Sequence, residues 1–258
     1  MNRITDYNQL SERIVKWLGD YVVSNSGIKA FVVGVSGGID SAVASTLAAK
    51  TGLPVYALGM PIYQKEEQEN LSDAHLEWLQ SNFDNVIVQK FDLSRIFDTF
   101  QFTMREFGAD KHALANTRSR LRMVTLYQVA TTVGGIVVGT GNKVEDYGVG
   151  FYTKYGDGGV DIAPIADLYK TEVWMLGEHL GVDERIISAE PTDGLWDDGR
   201  TDEDQIGTSY NMLEWVMEKG LNEDPMFLNE EQTKAINAYQ KFNTQNKHKM
   251  VEIPTFKL

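Results

Sequence analysis

A short run of small and polar residues has the composition that phosphate chemistry requires. It reads Ser36-Gly37-Gly38-Ile39-Asp40-Ser41 and lies between an apolar run at residues 30–35 and an alanine-rich run at residues 42–50. Glycines let the backbone approach an anion closely, and serine hydroxyls add hydrogen-bond donors. Because the flanking runs are typical of a buried strand and a helix, we expect the loop to present backbone N–H groups at a helix N-terminus, where anions bind.

This loop is neither of the two common nucleotide-binding glycine loops. It lacks the lysine of a Walker A loop, has Asp40 where a cation ligand would be useful, and does not have the G-x-G-x-x-G spacing. An ordinary strand–turn–helix corner built from small residues is the alternative interpretation. Six specified positions between a predicted strand and a predicted helix favour the phosphate site.

Two further segments contain residue types that suggest a ligand. Glu145 follows a short apolar run, and acidic residues at strand ends in glycine-rich loops seldom serve packing. The loop at residues 148–161 combines many glycines with aromatic residues, which flexible linkers rarely contain, so it is predicted to be functional. Three arginines on one predicted helix indicate either an anion partner or a solvated face; they are Arg118, Arg120 and Arg122.

The elements that must position these residues alternate along the chain. Apolar runs at residues 30–35, 55–60, 86–91 and 136–140 are typical of buried strands, and helical patterns separate them. This alternation predicts an α/β fold, a Rossmann-like three-layer α/β/α arrangement with a mostly parallel sheet. Ligands of such sheets bind at the carboxyl ends of the strands. Predicted helices lie at residues 5–25, 71–79, 96–107, 113–133, 164–181, 204–219 and 229–242, and residues 190–204 are expected to be mobile.

Length, charge and composition exclude several classes of protein. A chain of 258 residues can bury one sizeable core, so a single domain over residues 1–258 is expected. A formal net charge of -13 argues against general binding to nucleic acid or to an anionic membrane. The chain contains no cysteine, which excludes disulfides, thiolate metal sites and thiol nucleophiles. Without a membrane-length apolar run or a signal-peptide pattern, a cytoplasmic location is expected.

Taken together, the motifs resemble those of one enzyme family. The loop from Ser36 to Ser41 resembles the pyrophosphate loop of the ATP-pyrophosphatase (adenine nucleotide alpha hydrolase-like) superfamily. The later motifs resemble, in the same order, those of NAD synthetases of the short, ammonia-dependent form that lacks a glutaminase domain. The most discriminating motif is Lys154-Tyr155-Gly156-Asp157-Gly158-Gly159, and the others are Gly139-Thr140, Glu145, Asp161, Lys170 and His248-Lys249. The likeness spans about the whole chain.

This resemblance implies a reaction and a set of site residues. NAD synthetases adenylylate the nicotinic acid carboxylate of deamido-NAD with ATP, release pyrophosphate, and then let ammonia displace AMP. Asp157 is implied to hold and deprotonate ammonium, and a homodimer is implied whose deamido-NAD site draws on both subunits. The implied ATP contacts are Gly34, Val35, Ser36, Gly37, Gly38, Ile39, Asp40, Ser41, Thr140, Lys170 and Thr192; the Mg²⁺ ligands are Asp40 and Glu145; the deamido-NAD contacts are Arg120, Lys154, Asp161, His248 and Lys249.

Some positions depart from the family pattern or keep a simpler interpretation. The stretch at residues 145–154 is one residue longer than in the family, and Asn142 stands where some members carry histidine. An ordinary surface lysine is the alternative for Lys170, and a frayed basic tail is the alternative for the pair His248-Lys249.

Two rival functions stay open at this point. Another amidating enzyme of the superfamily, such as a GMP-synthetase-like domain or a tRNA-modifying enzyme, would use the same phosphate loop, although tRNA thiolation typically needs cysteines. A non-catalytic nucleotide-binding or stress-response module would need the loop but not Glu145, Asp157 and Asp161 together. Pyrophosphate release from ATP that depends on deamido-NAD would separate these functions.

Overall fold

Four parallel strands form the sheet in the residues that the computed structural model describes, namely 3–108, 110–192, 194 and 200–257. The strands are β1 (Ala30–Gly34), β2 (Val55–Gly59), β3 (Val86–Lys90) and β4 (Gly135–Val138). Their order is β3-β2-β1-β4. The chain therefore moves outward from β1 in one direction and returns on its other side with β4. This reversal makes the carboxyl ends of β1 and β4 the topological switch point, where α/β sheets bind ligands.

Helices cover both faces of this sheet. One face carries α1 (Tyr7–Ser24), α2 (Ile39–Ala49), α3 (Glu66–Asn82), α6 (Lys170–Leu180) and α7 (Glu184–Ile187), and the other carries α4 (Ser94–Thr103) and α5 (Lys111–Val133). A further cluster contains α8 (Asp202–Ile206), α9 (Tyr210–Glu218) and α10 (Glu230–Met250). Over the described ranges, no helix is both long enough and apolar enough to cross a membrane.

Strand β1 shows why the sheet is buried on both sides. Phe31 and Val33 pack in the core beneath α1, α2 and α6, whereas Val32 packs in the core beneath α4 and α5. Successive side chains of a strand point to opposite faces, so an uninterrupted apolar run fits a strand that is covered twice. The predicted three-layer α/β/α fold is confirmed.

Several predicted helices differ from the observed ones; α3, for example, begins at Glu66 and not at residue 71. Helix α10 continues to Met250 rather than ending at residue 242, so His248 and Lys249 belong to its last turn, where basic residues interact favourably with the helix dipole. The helix predicted at residues 204–219 is interrupted, because Gly207 ends α8 with a φ of 89°. The helix predicted from residue 164 begins only at Lys170.

A π-helical turn, Val144–Val149, lies in the stretch predicted to be one residue longer than the family pattern. A π turn contains one residue more than an α turn, so a turn of this kind would accommodate such an extra residue. Helix α10 packs on this turn: Asn243 and Asn246 donate side-chain hydrogen bonds to the carbonyls of Gly148 and Val149 at 2.7 and 2.9 Å. The turn thereby determines where α10 lies.

Candidate functional site

A cavity of about 680 Å³ opens at the carboxyl ends of β1 and β4. Its walls are formed by the loops after these strands, by one side of α5 and by the end of α10. The volume is in the range of small-molecule sites, roughly 300–1,000 Å³. Every ATP contact that the sequence predicts lines this cavity: Gly34, Val35, Ser36, Gly37, Gly38, Ile39, Asp40, Ser41, Thr140, Lys170 and Thr192.

The loop after β1 is held in shape by its own serines. Ser41 Oγ donates a hydrogen bond to the Gly38 carbonyl at 2.9 Å and accepts one from the Ser36 amide at 3.1 Å. Helix α2 then begins at Ile39, and no side chain caps it. Its first backbone N–H groups have no intrahelical partner, so they are available to an anion in the cavity.

Gly37 allows this loop to pack directly on α3. Its φ is +88°, and a Cβ atom there would lie 2.7 Å from the Gln68 carbonyl oxygen and 2.8 Å from the Ser72 amide nitrogen. Ser72 Oγ also donates to the Val35 carbonyl at 2.8 Å, which ties α3 to the end of β1. Both the backbone angle and the close approach therefore require glycine.

Two carboxylates from different strand ends converge on one ammonium group. Lys170 Nζ donates to Asp40 Oδ2 at 2.6 Å and to Glu145 Oε1 at 2.9 Å. The Lys170 side chain is only 3% exposed, and the side chains of Asp40 and Glu145 are 17% and 16% exposed. Lys170 is thus a buried member of the site rather than a surface lysine at the start of α6.

The pKa values of Asp40, Glu145 and Lys170 depend on their burial and on the charges that they place on one another. Burial raises the pKa of the Asp40 carboxyl. The charge of Lys170 lowers this pKa and the charge of Glu145 raises it, and the net change is a rise. Burial alone would also raise the pKa of Glu145, but Lys170 and a hydrogen bond from Tyr210 hold it below its ordinary value. Burial alone would lower the pKa of Lys170, but the two carboxylates raise it, so the lysine remains charged.

Two residues that the sequence did not single out as functional hold the carboxylates in place. Tyr210, which is 1% exposed, donates its hydroxyl to Glu145 Oε1 at 2.6 Å. Asn142, which is fully buried, donates to Asp40 Oδ1 at 3.0 Å and accepts the amide of Glu145 at 3.1 Å. Asn142 stands where some family members carry histidine, and this difference could have marked it as a site residue. No local pattern marks Tyr210, which begins a helix far along the chain.

Asp157 lies on another part of the same cavity, in the glycine-rich loop. Its Oδ1 atom accepts hydrogen bonds from Ser119 Oγ at 2.6 Å and from the Thr153 amide at 3.0 Å. Asp157 is exposed to solvent on the cavity wall. The protein around it raises the pKa of its carboxyl, while these two hydrogen bonds act in the opposite direction. The structure therefore brings Asp157 into one cavity with Asp40, Glu145 and Lys170.

Asp146 is an additional carboxyl group on the cavity wall. It lies in the π-helical turn, directly against the backbone of Gly141, where a side chain at residue 141 would overlap it. Burial raises its pKa to about 8, and the charges of Glu145, Asp157 and Asp40 contribute. Its position next to Glu145 in a polar loop was the signal that sequence reasoning left unused.

The predicted deamido-NAD contacts divide into two groups. Lys249 lines the cavity, where its ammonium donates to the Tyr152 carbonyl at 2.6 Å. The remaining four are absent from the cavity lining: Arg120, Lys154, Asp161 and His248.

These four residues are tied to one another or to the sheet edge. Arg120 Nε donates to the Lys154 carbonyl at 3.4 Å, and Lys154 Nζ donates to the His248 carbonyl at 3.0 Å. Asp161 accepts the Tyr127 hydroxyl at 3.0 Å and the backbone amide of β4 residue 137 at 2.8 Å. All four lie outside the cavity lining, and we call this set of residues the outer rim.

The other two arginines of α5 also contact the protein itself. The Arg118 guanidinium lies 5.0 Å from the centre of the Phe97 ring, and Arg122 Nε donates to the Met60 carbonyl at 3.0 Å. Arg122 belongs to the cavity wall. The alternative interpretation, in which these arginines form a solvated helix face, therefore does not hold for Arg118 and Arg122.

Comparison with known proteins gives a consistent result. The sequence matches the family described as NAD synthase over residues 10–254. The NH(3)-dependent NAD(+) synthetase of Pyrococcus horikoshii is 39% identical over 217 residues, which are 83% of this chain and 79% of that protein.

Solved structures match the chain over nearly its full length. The NMN synthetase from Francisella tularensis superimposes with a TM-score of 0.87 and 32% sequence identity, covering 99% of this chain and 100% of that one. The NH3-dependent NAD synthetase from Campylobacter jejuni, solved with a nitrate ion, superimposes with a TM-score of 0.76 and 25% identity, covering 98% and 100%.

Proposed function

This chain belongs to the NAD synthase family, and from that membership we propose how its cavity performs the family's reaction. It is an ATP-using ligase of NAD biosynthesis that amidates deamido-NAD with ammonia and releases AMP and pyrophosphate. A carboxylate is a poor acyl donor, so the oxygen that leaves must first be joined to AMP. The protein has to hold a triphosphate, align the carboxylate with its α-phosphorus, and keep water from the activated acyl group.

The observation that carries this mechanism is the meeting of Asp40, Glu145 and Lys170 beside the uncapped N-terminus of α2. The α2 amides and the loop serines bind the phosphates, and Lys170 adds a positive charge next to them. Asp157 lines the same cavity. A module that only bound a nucleotide would have no use for a further carboxylate on the cavity wall.

Asp40 and Glu145 also fit a divalent cation. Both already direct an oxygen at one cationic atom, Lys170 Nζ, so the pair is able to share a metal ion. No group of three or more His, Cys, Asp or Glu side chains arranged for a metal occurs among the described residues. A pair of carboxylates such as Asp40 and Glu145 suits Mg²⁺, which binds through one or two carboxylates and completes its coordination with phosphate oxygens and water. Mg²⁺ would neutralise charge on the triphosphate.

We propose that Asp157 binds ammonium and accepts its proton. Ammonium is not nucleophilic until it loses a proton, and a raised pKa makes the Asp157 carboxylate a better proton acceptor. Taking nitrogen from glutamine normally needs a cysteine nucleophile, and this chain contains none. We therefore propose that the single domain uses free ammonia.

A coupled assay tests this mechanism. Purified protein with ATP and Mg²⁺ should release pyrophosphate only when deamido-NAD is added, and NAD should then form with ammonium but not with ammonium-free glutamine. Asp40→Asn should keep the fold by circular dichroism and slow pyrophosphate release by about 100-fold or more, as expected for loss of a metal ligand. Normal release by Asp40→Asn, or NAD formation from glutamine alone, contradicts the proposal.

A second acceptor is favoured by one comparison. The NMN synthetase from Francisella tularensis is the more similar of the two solved structures, in both sequence identity and TM-score. The same chemistry on a smaller acceptor would amidate nicotinic acid mononucleotide to NMN.

Separate assays with the two acceptors distinguish the candidates. Each acceptor is offered alone with ATP, Mg²⁺ and ammonium, and kcat/KM is compared. A value at least tenfold higher for the mononucleotide assigns the chain to NMN formation. A value at least tenfold higher for deamido-NAD assigns it to the dinucleotide, and Arg120→Ala should then raise the KM for deamido-NAD while sparing that for the mononucleotide.

We further propose that the enzyme is a homodimer. The run of apolar residues in α5 at first suggests a dimer interface, but in the structure Leu126 and Tyr127 pack against the protein's own core and Ala130 is 2% exposed. Support comes from the neighbouring α4 and the turn after it, where Ile96, Phe100, Phe102, Met104 and Phe107 are exposed. Exposed apolar side chains grouped in one segment are typical of protein–protein contact sites. Sedimentation of an active monomer at assay concentration would refute the dimer.

A further inference from the structure

The glycine-rich loop is attached to α5 at two points that are one helical turn apart. Asn116 Oδ1 accepts the hydroxyl of Thr153 at 2.7 Å, and Ser119 Oγ donates to Asp157 Oδ1 at 2.6 Å. Residues three apart on a helix lie on the same face, so both side chains reach the loop together. The neighbouring amide of Asp157 donates back to Ser119 Oγ at 2.9 Å.

The contact at Ser119 is buried and specific to a serine-sized side chain. Ser119 is 6% exposed. Gly156 lies so close that a side chain there would overlap the Ser119 hydroxyl. The loop therefore approaches α5 closely only because residue 156 is glycine, and the hydroxyl of Ser119 is enclosed between the helix and the loop.

This arrangement leaves the two oxygens of Asp157 in different situations. Oδ1 accepts two hydrogen bonds, from Ser119 and from the Thr153 amide, which fixes the plane of the carboxylate. Oδ2 accepts no hydrogen bond from any residue in the described ranges, while Asp157 lines the cavity. One oxygen is anchored and the other is left for a ligand.

We propose that Ser119 is a positioning residue for nitrogen, because its hydroxyl anchors Asp157 Oδ1 and so directs Oδ2 at the ammonium that enters the cavity. This inference rests on the proposed function of Asp157 in the amidation. It assigns Ser119 a role in the second half-reaction alone, since Ser119 makes no contact with the phosphate loop in the described structure.

The test separates the two half-reactions in Ser119→Ala. We expect kcat/KM for ammonium to fall by about 10- to 100-fold, the range for losing a hydrogen bond to a charged group. ATP–pyrophosphate exchange with deamido-NAD, measured without ammonium, should stay within twofold of the unmodified enzyme. The matched control is Thr117→Ala, which removes a hydroxyl of the same helix that is exposed and bonded to the Ala113 carbonyl.

A double-mutant cycle then shows whether Ser119 acts through Asp157. In the Asp157→Ala background, Ser119→Ala should change kcat/KM for ammonium by less than twofold. An equal loss in both backgrounds, a loss in pyrophosphate exchange, or an unchanged kcat/KM in Ser119→Ala alone overturns the positioning role while the function of Asp157 stands. Full ammonium-dependent activity in Asp157→Ala overturns the assignment of Asp157 and the inference with it.

Discussion

The ammonium of Lys170 lies 2.6 Å from Asp40 Oδ2, although the two residues are 130 positions apart in the chain. The same ammonium lies 2.9 Å from Glu145 Oε1, so one buried cation offsets part of the charge of two carboxylates. A buried charge that loses its partner is far more costly than an exposed one. The site is therefore stable only while a cation remains between Asp40 and Glu145.

Removing this cation should destabilise the fold. We expect Lys170→Met to lower the free energy of unfolding by about 3–5 kcal/mol, because it leaves two partly buried carboxylates unpaired. Urea denaturation at pH 7.5 measures the loss, and added Mg²⁺ should recover part of it. Lys16→Met is the control: Lys16 pairs with Asp20 on an exposed helix surface, where an ion pair contributes about 0.5 kcal/mol or less. A loss below 1 kcal/mol in Lys170→Met would show that the carboxylates do not depend on it.

Removing the hydroxyl of Tyr210 should weaken metal binding without disturbing packing. Tyr210→Phe keeps the ring, which stacks edge-on against Trp174, and deletes the hydrogen bond to Glu145. We expect Mg-ATP affinity, measured by calorimetry, to fall by about 5- to 10-fold, which matches a hydrogen bond of about 1–1.5 kcal/mol. Tyr21→Phe on α1 is the control and should leave the affinity unchanged. Equal affinities for Tyr210→Phe and the unmodified protein count against a positioning role for Tyr210.

His75 should make stability depend on pH. It is 1% exposed, and burial lowers its pKa from 6.5 to about 4. Between pH 6.5 and about 4 the unfolded chain binds a proton that the folded protein does not, so the free energy of unfolding falls as pH falls through this window. The contribution lost is about 3 kcal/mol.

Denaturation of His75→Phe at several pH values measures this contribution. Phe keeps a ring against Trp78, and Ser45 stays satisfied because its hydroxyl already donates to the Ser41 carbonyl at 2.7 Å. The loss of stability between pH 6.5 and 4 should be smaller in this variant than in the unmodified protein. His179→Gln, at an exposed histidine, should not alter the slope. Identical slopes for His75→Phe and the unmodified protein would show that His75 does not cause the dependence.

Gly37 should tolerate no side chain. Gly37→Ala combines a backbone angle that L-residues avoid with a Cβ atom 2.7 Å from the Gln68 carbonyl oxygen. We expect a loss of stability of about 2–4 kcal/mol and at least a tenfold weaker affinity for ATP, because the loop has to move. Gly181→Ala is the control for the backbone angle alone, because Gly181 has a φ of +76° but open space around an added Cβ atom. We expect this substitution to lower stability by about 1 kcal/mol and to leave ATP binding intact. Equal effects of the two substitutions would contradict the close packing on α3.

The sequence by itself determined the order and type of the elements that build the site. The apolar run of β1, the small residues after it and the alanine-rich α2 are local patterns, and each specifies its own backbone conformation. Parallel strands bring their carboxyl ends to one edge, which agrees with the pairing of Asp40 and Glu145 that the family resemblance implied. The glycine-rich loop was recognisable as functional from its aromatic residues, and the family resemblance identified Asp157 within it.

Only the tertiary structure decided which side chains hold these residues and which lie outside the cavity. Lys170, Tyr210 and Ser119 lie on helices, and each reaches its carboxylate only because that helix packs against the site. Asn142 lies in a loop and reaches Asp40 across 102 positions of the chain. No spacing rule relates such distant pairs. The contacts that link Arg120, Lys154 and His248 outside the cavity depend on tertiary packing in the same way. Local sequence encodes backbone conformation, whereas hydrogen bonds between distant side chains depend on angles and distances that many packed residues set together.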